Sequence, residues 1–134
     1  SDHLSLKSLR VVCGTERPQE AALELIVEGL LHSVTATGDG PVDATFNAVK
    51  QLYPHTARLQ LYQVSAVTEG TDAQATVSVR MEEDGKIANG QSADTDTVVA
   101  SAKAYINALN RLIVRREKSA PGEDIKSISY KDAG

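Results

Sequence analysis

Two stretches of this chain place a glycine-led polar turn ahead of an amphipathic run. The first reads Thr37-Gly38-Asp39-Gly40-Pro41-Val42-Asp43-Ala44; the second reads Asn89-Gly90-Gln91-Ser92-Ala93-Asp94-Thr95-Asp96, ahead of Val98 through Tyr105. A helix that opens on such a turn aims unbonded N–H groups at one spot, which suits a carboxylate or another anion. The duplicated turn points to a chain that senses a small molecule. The first copy is not a dinucleotide fingerprint, because Asp43 stands at the third glycine position and its charge opposes a pyrophosphate. It is not a phosphate-binding P-loop either, since no Lys-Ser or Lys-Thr pair follows the glycines.

The other reactive side chains form no catalytic set. His32 and His55 stand apart without a companion at metal-ligand spacing, and His3 lies in the ragged start, so all three read as structural or solvent-facing. Cys13, with Arg10 and Arg17 as its nearest bases, reads as a small buried residue and not as a nucleophile. Asp94, Thr95 and Asp96 suggest a carboxylate pair, but capping accounts for them, with Asp94 or Thr95 expected as the N-cap. Arg111, Arg115, Arg116 and Lys118 read as a solvated helix end.

Composition narrows the class. A chain of 134 residues, 41% apolar and 24% charged, is one globular domain with an ordinary core. Aromatic residues are only 4%, so Val, Leu, Ile and Ala must build that core. A net charge of −4 gives no electrostatic reason to bind nucleic acid or an anionic membrane. No apolar run approaches the roughly 20 residues that span a bilayer. The single cysteine cannot close an internal disulfide, so a reducing compartment, the cytoplasm, is expected. The start at Ser1-Asp2-His3-Leu4 reads as a cut or tagged edge, and the chain is expected to be a piece of something longer.

The elements that must hold the turns follow from periodicity. Leu4 to Cys13 predicts a strand, Leu23, Leu25 and Val27 a second that turns at Gly29, and Leu31 to Thr37 its hairpin partner. Pro41 suits a first helical position, and Val42, Phe46, Val49 and Tyr53 form the apolar stripe of a short helix stopped by Pro54. The order then repeats. Ala57 to Val67 carries Leu59, Leu61 and Val64; Thr68 to Asp72 is a polar turn; Ala73 to Met81 alternates cleanly; and Asp84-Gly85 turns into Lys86-Ile87-Ala88. Val98, Ala102, Tyr105, Leu109 and Leu112 recur at helical spacing in a longer helix. Strand-strand-strand-helix, twice, gives an α+β fold of two βββα units with antiparallel strands and helices on one face. The folded domain is expected over residues 1–116, with repeats of about 4–54 and 57–116, and a mobile tail over 117–134.

The blocks Gly38-Asp39-Gly40-Pro41-Val42-Asp43-Ala44, Ala66-Val67-Thr68-Glu69-Gly70-Thr71-Asp72-Ala73-Gln74-Ala75 and Ala93-Asp94-Thr95-Asp96, continued by Ala100 through Asn110, carry a resemblance. From about Leu6 to Arg116 the chain is similar to the C-terminal regulatory domain of 2-isopropylmalate synthase. That resemblance implies a leucine-binding, dimeric allosteric domain. The parent enzyme condenses acetyl-CoA with 2-oxoisovalerate at the first committed step of leucine biosynthesis and is feedback-inhibited by leucine. It implies no catalytic residues and no cofactor here; the divalent metal belongs to the parent's catalytic domain, which has no counterpart in this chain and is an expected partner. The family often has a second glycine where this chain has Ser92. Carried over, the leucine site falls on the backbone of Gly38, Asp39 and Gly40, with Val42, Leu59, Tyr62, Ala66, Ala73 and Ala93 as walls. The ligand's carboxylate is expected at the helix start from Ala93 through Asp94 and Thr95 to Asp96, and its ammonium at the glycine turn with Asp39. Two other readings stay open: the isoleucine-sensing domain of citramalate synthase, and a structural dimerisation module whose turns bind nothing. A free-standing small enzyme is disfavoured by the missing nucleophile, base and metal cluster.

Overall fold

The computed structural model describes residues 3–15, 18–66 and 73–118. The predicted turn over 68–72 and the expected tail from 119 onward lie outside the described residues. Eight elements follow in the order β1 (Leu4–Val12), β2 (Gln19–Val27), β3 (Leu30–Gly38), α1 (Pro41–Leu52), β4 (Arg58–Ala66), β5 (Ala75–Glu83), β6 (Lys86–Asp94) and α2 (Thr97–Lys118). They form two antiparallel three-stranded sheets, β1-β2-β3 and β4-β5-β6, each followed by its helix. Both second hairpins turn on a pair of residues with positive φ, Glu28-Gly29 and Asp84-Gly85, the geometry that matches strand twist.

Alternation decides which face is buried. Ala21, Leu23 and Leu25 of β2 and Val77, Val79 and Met81 of β5 point under the helices, with solvent-side residues between them. The first strand of each unit carries a bulge at the same place, Lys7 in β1 and Gln60 in β4. An extra residue resets the alternation. Leu59 and Tyr62 therefore share the helix side, opposite Met81 and Val79, while Leu61 turns out opposite Arg80. Without the bulge, strict period-two alternation would place Leu59 and Leu61 on one face. The registers align the two units residue for residue: Leu6, Leu9 and Val11 correspond to Leu59, Tyr62 and Val64, and Gly40 to Asp96.

The helices pack through small residues. Ala44, Thr45, Ala48 and Val49 are the buried face of α1, so the expected stripe is rotated: Val42 and Phe46 are only half-buried and look sideways. Phe46 stacks on Tyr105 of α2 with ring centroids 4.2 Å apart and meets Tyr62 of β4 edge-on at 6.1 Å. This aromatic contact joins the repeats. On α2, Ala100, Ala104, Ala108, Leu109, Leu112 and their neighbours are buried around much of the helix, against β5 and β6 on one side and β1 and α1 on the other. The Asn110 side chain bonds both the N–H and the carbonyl of Leu4, at 2.8 and 2.9 Å, and acts as a short strand partner for the start of β1.

Three expectations change. Glu117 and Lys118, assigned to the tail, are the last residues of α2. The basic cluster is not simply solvated: Arg116 reaches Glu83 with two donors, at 2.8 and 3.0 Å, and Arg115 bonds the Ile87 carbonyl. Burial would raise the Glu83 carboxyl, but Arg116 and Thr56 outweigh it and hold it below the ordinary carboxylate range. Gly90, read as part of a turn, lies inside β6, because Lys86 to Asp94 is continuous strand. Its role is contact: a Cβ there would run into the Ala104 carbonyl and come within 2.6 Å of the Ala108 nitrogen. Gly90→Ala must therefore push α2 off its sheet, since backbone atoms cannot step aside. We expect a loss of about 1–3 kcal/mol or more in urea unfolding, against a negligible loss for Gly14→Ala, where nothing lies within 4 Å.

Candidate functional site

The two helix starts, expected to be alike, are built differently. At α2, Asp96 is the N-cap, not Asp94 or Thr95. Its Oδ1 accepts from the N–H groups of Val98 and Val99, at 2.8 and 3.2 Å. Asp94 stands one step behind, its Oδ1 accepting from the Asp96 N–H at 2.9 Å and its Oδ2 near Lys103 at 3.3 Å. The Asp96 N–H bond is the main reason that the Asp94 carboxyl sits below its ordinary value, with Lys103 adding to it. The place expected for a ligand's carboxylate is thus held by a carboxylate of the chain itself.

At α1 the N-cap is Gly40, and no side chain caps the helix. Proline at the first helical position removes one orphan N–H, and Asp43 turns back so that its Oδ2 accepts from the Asp39 N–H at 2.8 Å. The glycines flanking Asp39 are not equivalent. A Cβ on Gly38 would strike the first turn of α1, meeting Ala44 and the Asp43 Oδ2 at 2.7 Å, so packing explains that residue. Gly40 has an extended backbone, φ −152°, and a Cβ there would meet nothing within 4 Å. Nothing in the fold requires glycine at this position. The common capping residues Asp, Asn, Ser and Thr are simply missing from a helix start that faces open space.

The equivalent start, at α2, borders a cavity. Leu9, Val11 and Cys13 from β1, Pro41 from α1, and Asp96, Val98 and Val99 from α2 line a cavity of about 280 Å³. In the register of the second unit, the β1 and α2 positions correspond to Tyr62, Val64, Ala66, Gly40, Val42 and Asp43. Four of these six, Gly40, Val42, Tyr62 and Ala66, are among the residues the sequence singled out. The equivalent region between α1 and β4 is more open: Tyr62 is 36% and Val64 44% exposed, although both lie on the helix side of their sheet. The Tyr62 hydroxyl is anchored to the buried Ser101 at 2.7 Å, which fixes its ring beside Phe46.

The remaining candidates divide into two places. Ala66, the last residue of β4, pairs with Ala75, which pairs in turn with Asp94, so Ala66, Ala93, Asp94 and Thr95 share one end of the second sheet. Ala73 lies exposed just ahead of β5. Leu59, 43% exposed, sits toward the other end of β4 opposite Met81. Two residues the sequence reading assigned only to a strand and a helix stripe lie beside these candidates: Val64 shares the strand face of Tyr62, and Phe46 meets the Tyr62 ring. Cys13, expected to be buried, is exposed at the rim of the β1 cavity, because β1 ends at Val12 and leaves it without a covering helix. Among the described residues no group of three His, Cys, Asp or Glu side chains is placed to hold a metal ion, and no helix is long and apolar enough to cross a membrane.

The self-capped start is separable by mutation. Asp96→Ala leaves two N–H groups of α2 without an acceptor and should cost about 0.5–2 kcal/mol in chemical unfolding, whereas Asp96→Asn, which keeps the accepting oxygen, should retain most of that stability.

Comparison with known proteins agrees with this architecture. The family model described as the LeuA allosteric (dimerisation) domain matches residues 1–113. A 2-isopropylmalate synthase of Caulobacter sp. (strain K31) is 61% identical over 127 residues, covering 95% of this chain and 24% of the relative. Those of Afipia carboxidovorans and Bradyrhizobium sp. (strain ORS 278) are 56% and 53% identical over 90% of the chain and 23% of each relative. The chain thus spans about a quarter of the length of the curated relatives it matches. With its duplicated βββα units, and with nearly its whole described length matched, the chain belongs to the LeuA allosteric (dimerisation) domain family.

Proposed function

We propose that this chain is the leucine-sensing, dimer-forming regulatory domain of a 2-isopropylmalate synthase, and that it carries feedback inhibition to a separate catalytic domain that condenses acetyl-CoA with 2-oxoisovalerate. The observation that carries the reading is Gly40, a glycine that no contact and no backbone angle demands, at a helix start that no side chain caps. A free amino acid supplies what is missing there. Its carboxylate takes the N–H groups at the start of α1, favoured by the helix dipole. Its ammonium meets Asp39 or the carbonyls of the turn, and its side chain lies against Val42 and Tyr62. This reverses the orientation expected from the sequence, because Asp96 already fills the α2 start. Burying the four carbons of an isobutyl group at about 0.8 kcal/mol each gives roughly 3 kcal/mol. Loss of one methylene costs about 1–3 kcal/mol, so valine binds more weakly than leucine and is not fully excluded. The isoleucine-sensing and purely structural alternatives are decided by measurement.

In a thermal-shift panel of leucine, isoleucine, valine and lysine, leucine at 100 times its dissociation constant should stabilise the chain by about 2.7 kcal/mol. A shift with isoleucine alone moves the assignment to the citramalate enzyme, and no shift with any of the four leaves a structural module. Gly40→Val suits the extended backbone, and its Cβ meets nothing within 4 Å, so it should fold while abolishing the leucine shift; an unchanged shift removes the α1 start from the site.

The dimer follows from the same open side. Leu59, Tyr62 and Val64 form an apolar row on the helix side of β4, 43, 36 and 44% exposed, whereas their counterparts Leu6, Leu9 and Val11 are half-buried beneath α2. A second copy of the chain covers that row in the proposed assembly. Val64→Asp should convert the dimer to monomer in sedimentation velocity without loss of secondary structure. A dimer of undiminished affinity would place the interface elsewhere.

A further inference from the structure

The connection between the repeats, residues 53–57, is fastened by an imidazole. His55 is 9% exposed, and its Nδ1 accepts the Ala57 N–H at 3.2 Å. That bond requires a bare Nδ1, so the ring proton sits on Nε2 and is donated to the Tyr105 hydroxyl, 3.1 Å away. Tyr105 is itself buried, its hydroxyl pushed up to about 12 by desolvation, and it stacks against Phe46 of α1. The next residue is fastened as well: Thr56 donates to Glu83 through its N–H at 3.3 Å and its hydroxyl at 3.1 Å. One histidine therefore ties the connection just ahead of β4 to the middle of α2.

A second proton cannot enter without breaking this arrangement. It would go on Nδ1 and set two donors, the ring N–H and the Ala57 N–H, face to face. The groups around the ring are mixed in sign. Lys50 from α1 and Arg116 from α2 oppose a charged ring, Glu83 from β5 favours one, and the Tyr105 hydroxyl is neutral. Desolvation is the largest influence and acts with the two cations, so His55 is lowered from its ordinary value. The sign follows from linkage. A histidine lowered in the folded state contributes its stability in full above the ordinary value of about 6.5, and loses it as the pH falls through the folded value.

We propose that His55 is a proton-sensitive latch that fastens the connection between the repeats to α2 while the ring is neutral and releases residues 55–57 when it is charged. The release is local; the sheets remain folded.

Amide exchange in the 134-residue chain, followed by NMR from pH 8 to pH 5 and corrected for the intrinsic rate, tests this. Protection of the Ala57 amide should fall at least about tenfold between pH 7 and pH 5, while the amides of β2 and β5 stay protected. His55→Asn puts a non-titrating acceptor near the place of Nδ1 and should make Ala57 protection independent of pH. A flat Ala57 profile in the wild type overturns the proposal, as does the same acid-induced loss in His55→Asn. Should that variant not fold, the wild-type ring signals decide: a titration midpoint below 6.5 that coincides with loss of Ala57 protection supports the latch, and a midpoint at or above 6.5 refutes it.

Discussion

The structure depends on one helix being buried from several sides. α2 lays Ala104 and Ala108 against the bare backbone of Gly90, and turns other faces toward β1 and α1. Small residues make this possible, because helix and sheet approach to backbone distance and no side-chain layer separates them. The same helix then closes the apolar face of its own sheet and the inner side of the first strand of the other. Removing it would bare Leu6, Leu9 and Val11 along with Val77, Val79 and Met81. The two repeats are therefore one core and not two small ones, which suits a chain with few aromatic residues to fill independent interiors.

Within that shared core the proposed site lies where the duplication is broken. Equivalent positions carry Asp96 in one unit and Gly40 in the other, so one helix start completes itself and its twin is left open. Equivalent strands carry Leu9 and Val11 under a helix and Tyr62 and Val64 largely in the open. In the proposed reading the effector and the second copy meet the chain where its own repeat stops supplying partners. Coupling between them then needs only that each binds better when the other is present, for which about 1–3 kcal/mol is typical.

Much of this was legible in the residues. The βββα order appeared because Val77, Val79 and Met81 alternate, because glycine turns punctuate the strands, and because Pro41 and Pro54 bracket α1. What escaped the sequence was geometry that periodicity does not encode. A bulged residue leaves no compositional mark, so nothing in the sequence shows that Leu59 and Tyr62 share one strand face while Leu61 takes the other. Asp94, Thr95 and Asp96 are all acceptable caps, and only the path of the chain selects Asp96. Gly90 looked like a turn glycine because a glycine demanded by a neighbouring helix is indistinguishable in sequence from one demanded by a backbone angle. The Asp96 cap escaped the sequence for the same reason: no sequence pattern says whether an aspartate near a helix start is bonded to it already.

The uncovered first turn of α1 makes the two halves respond differently to their surroundings. Its amides exchange hydrogen bonds with whatever solute occupies the water beside Gly40, so the readiness of that turn to fray depends on the anions in solution. The turn at Asp96 brings its own acceptor and is indifferent to them. Buffer composition alone can thus tune one end of a duplicated unit while its twin stays constant.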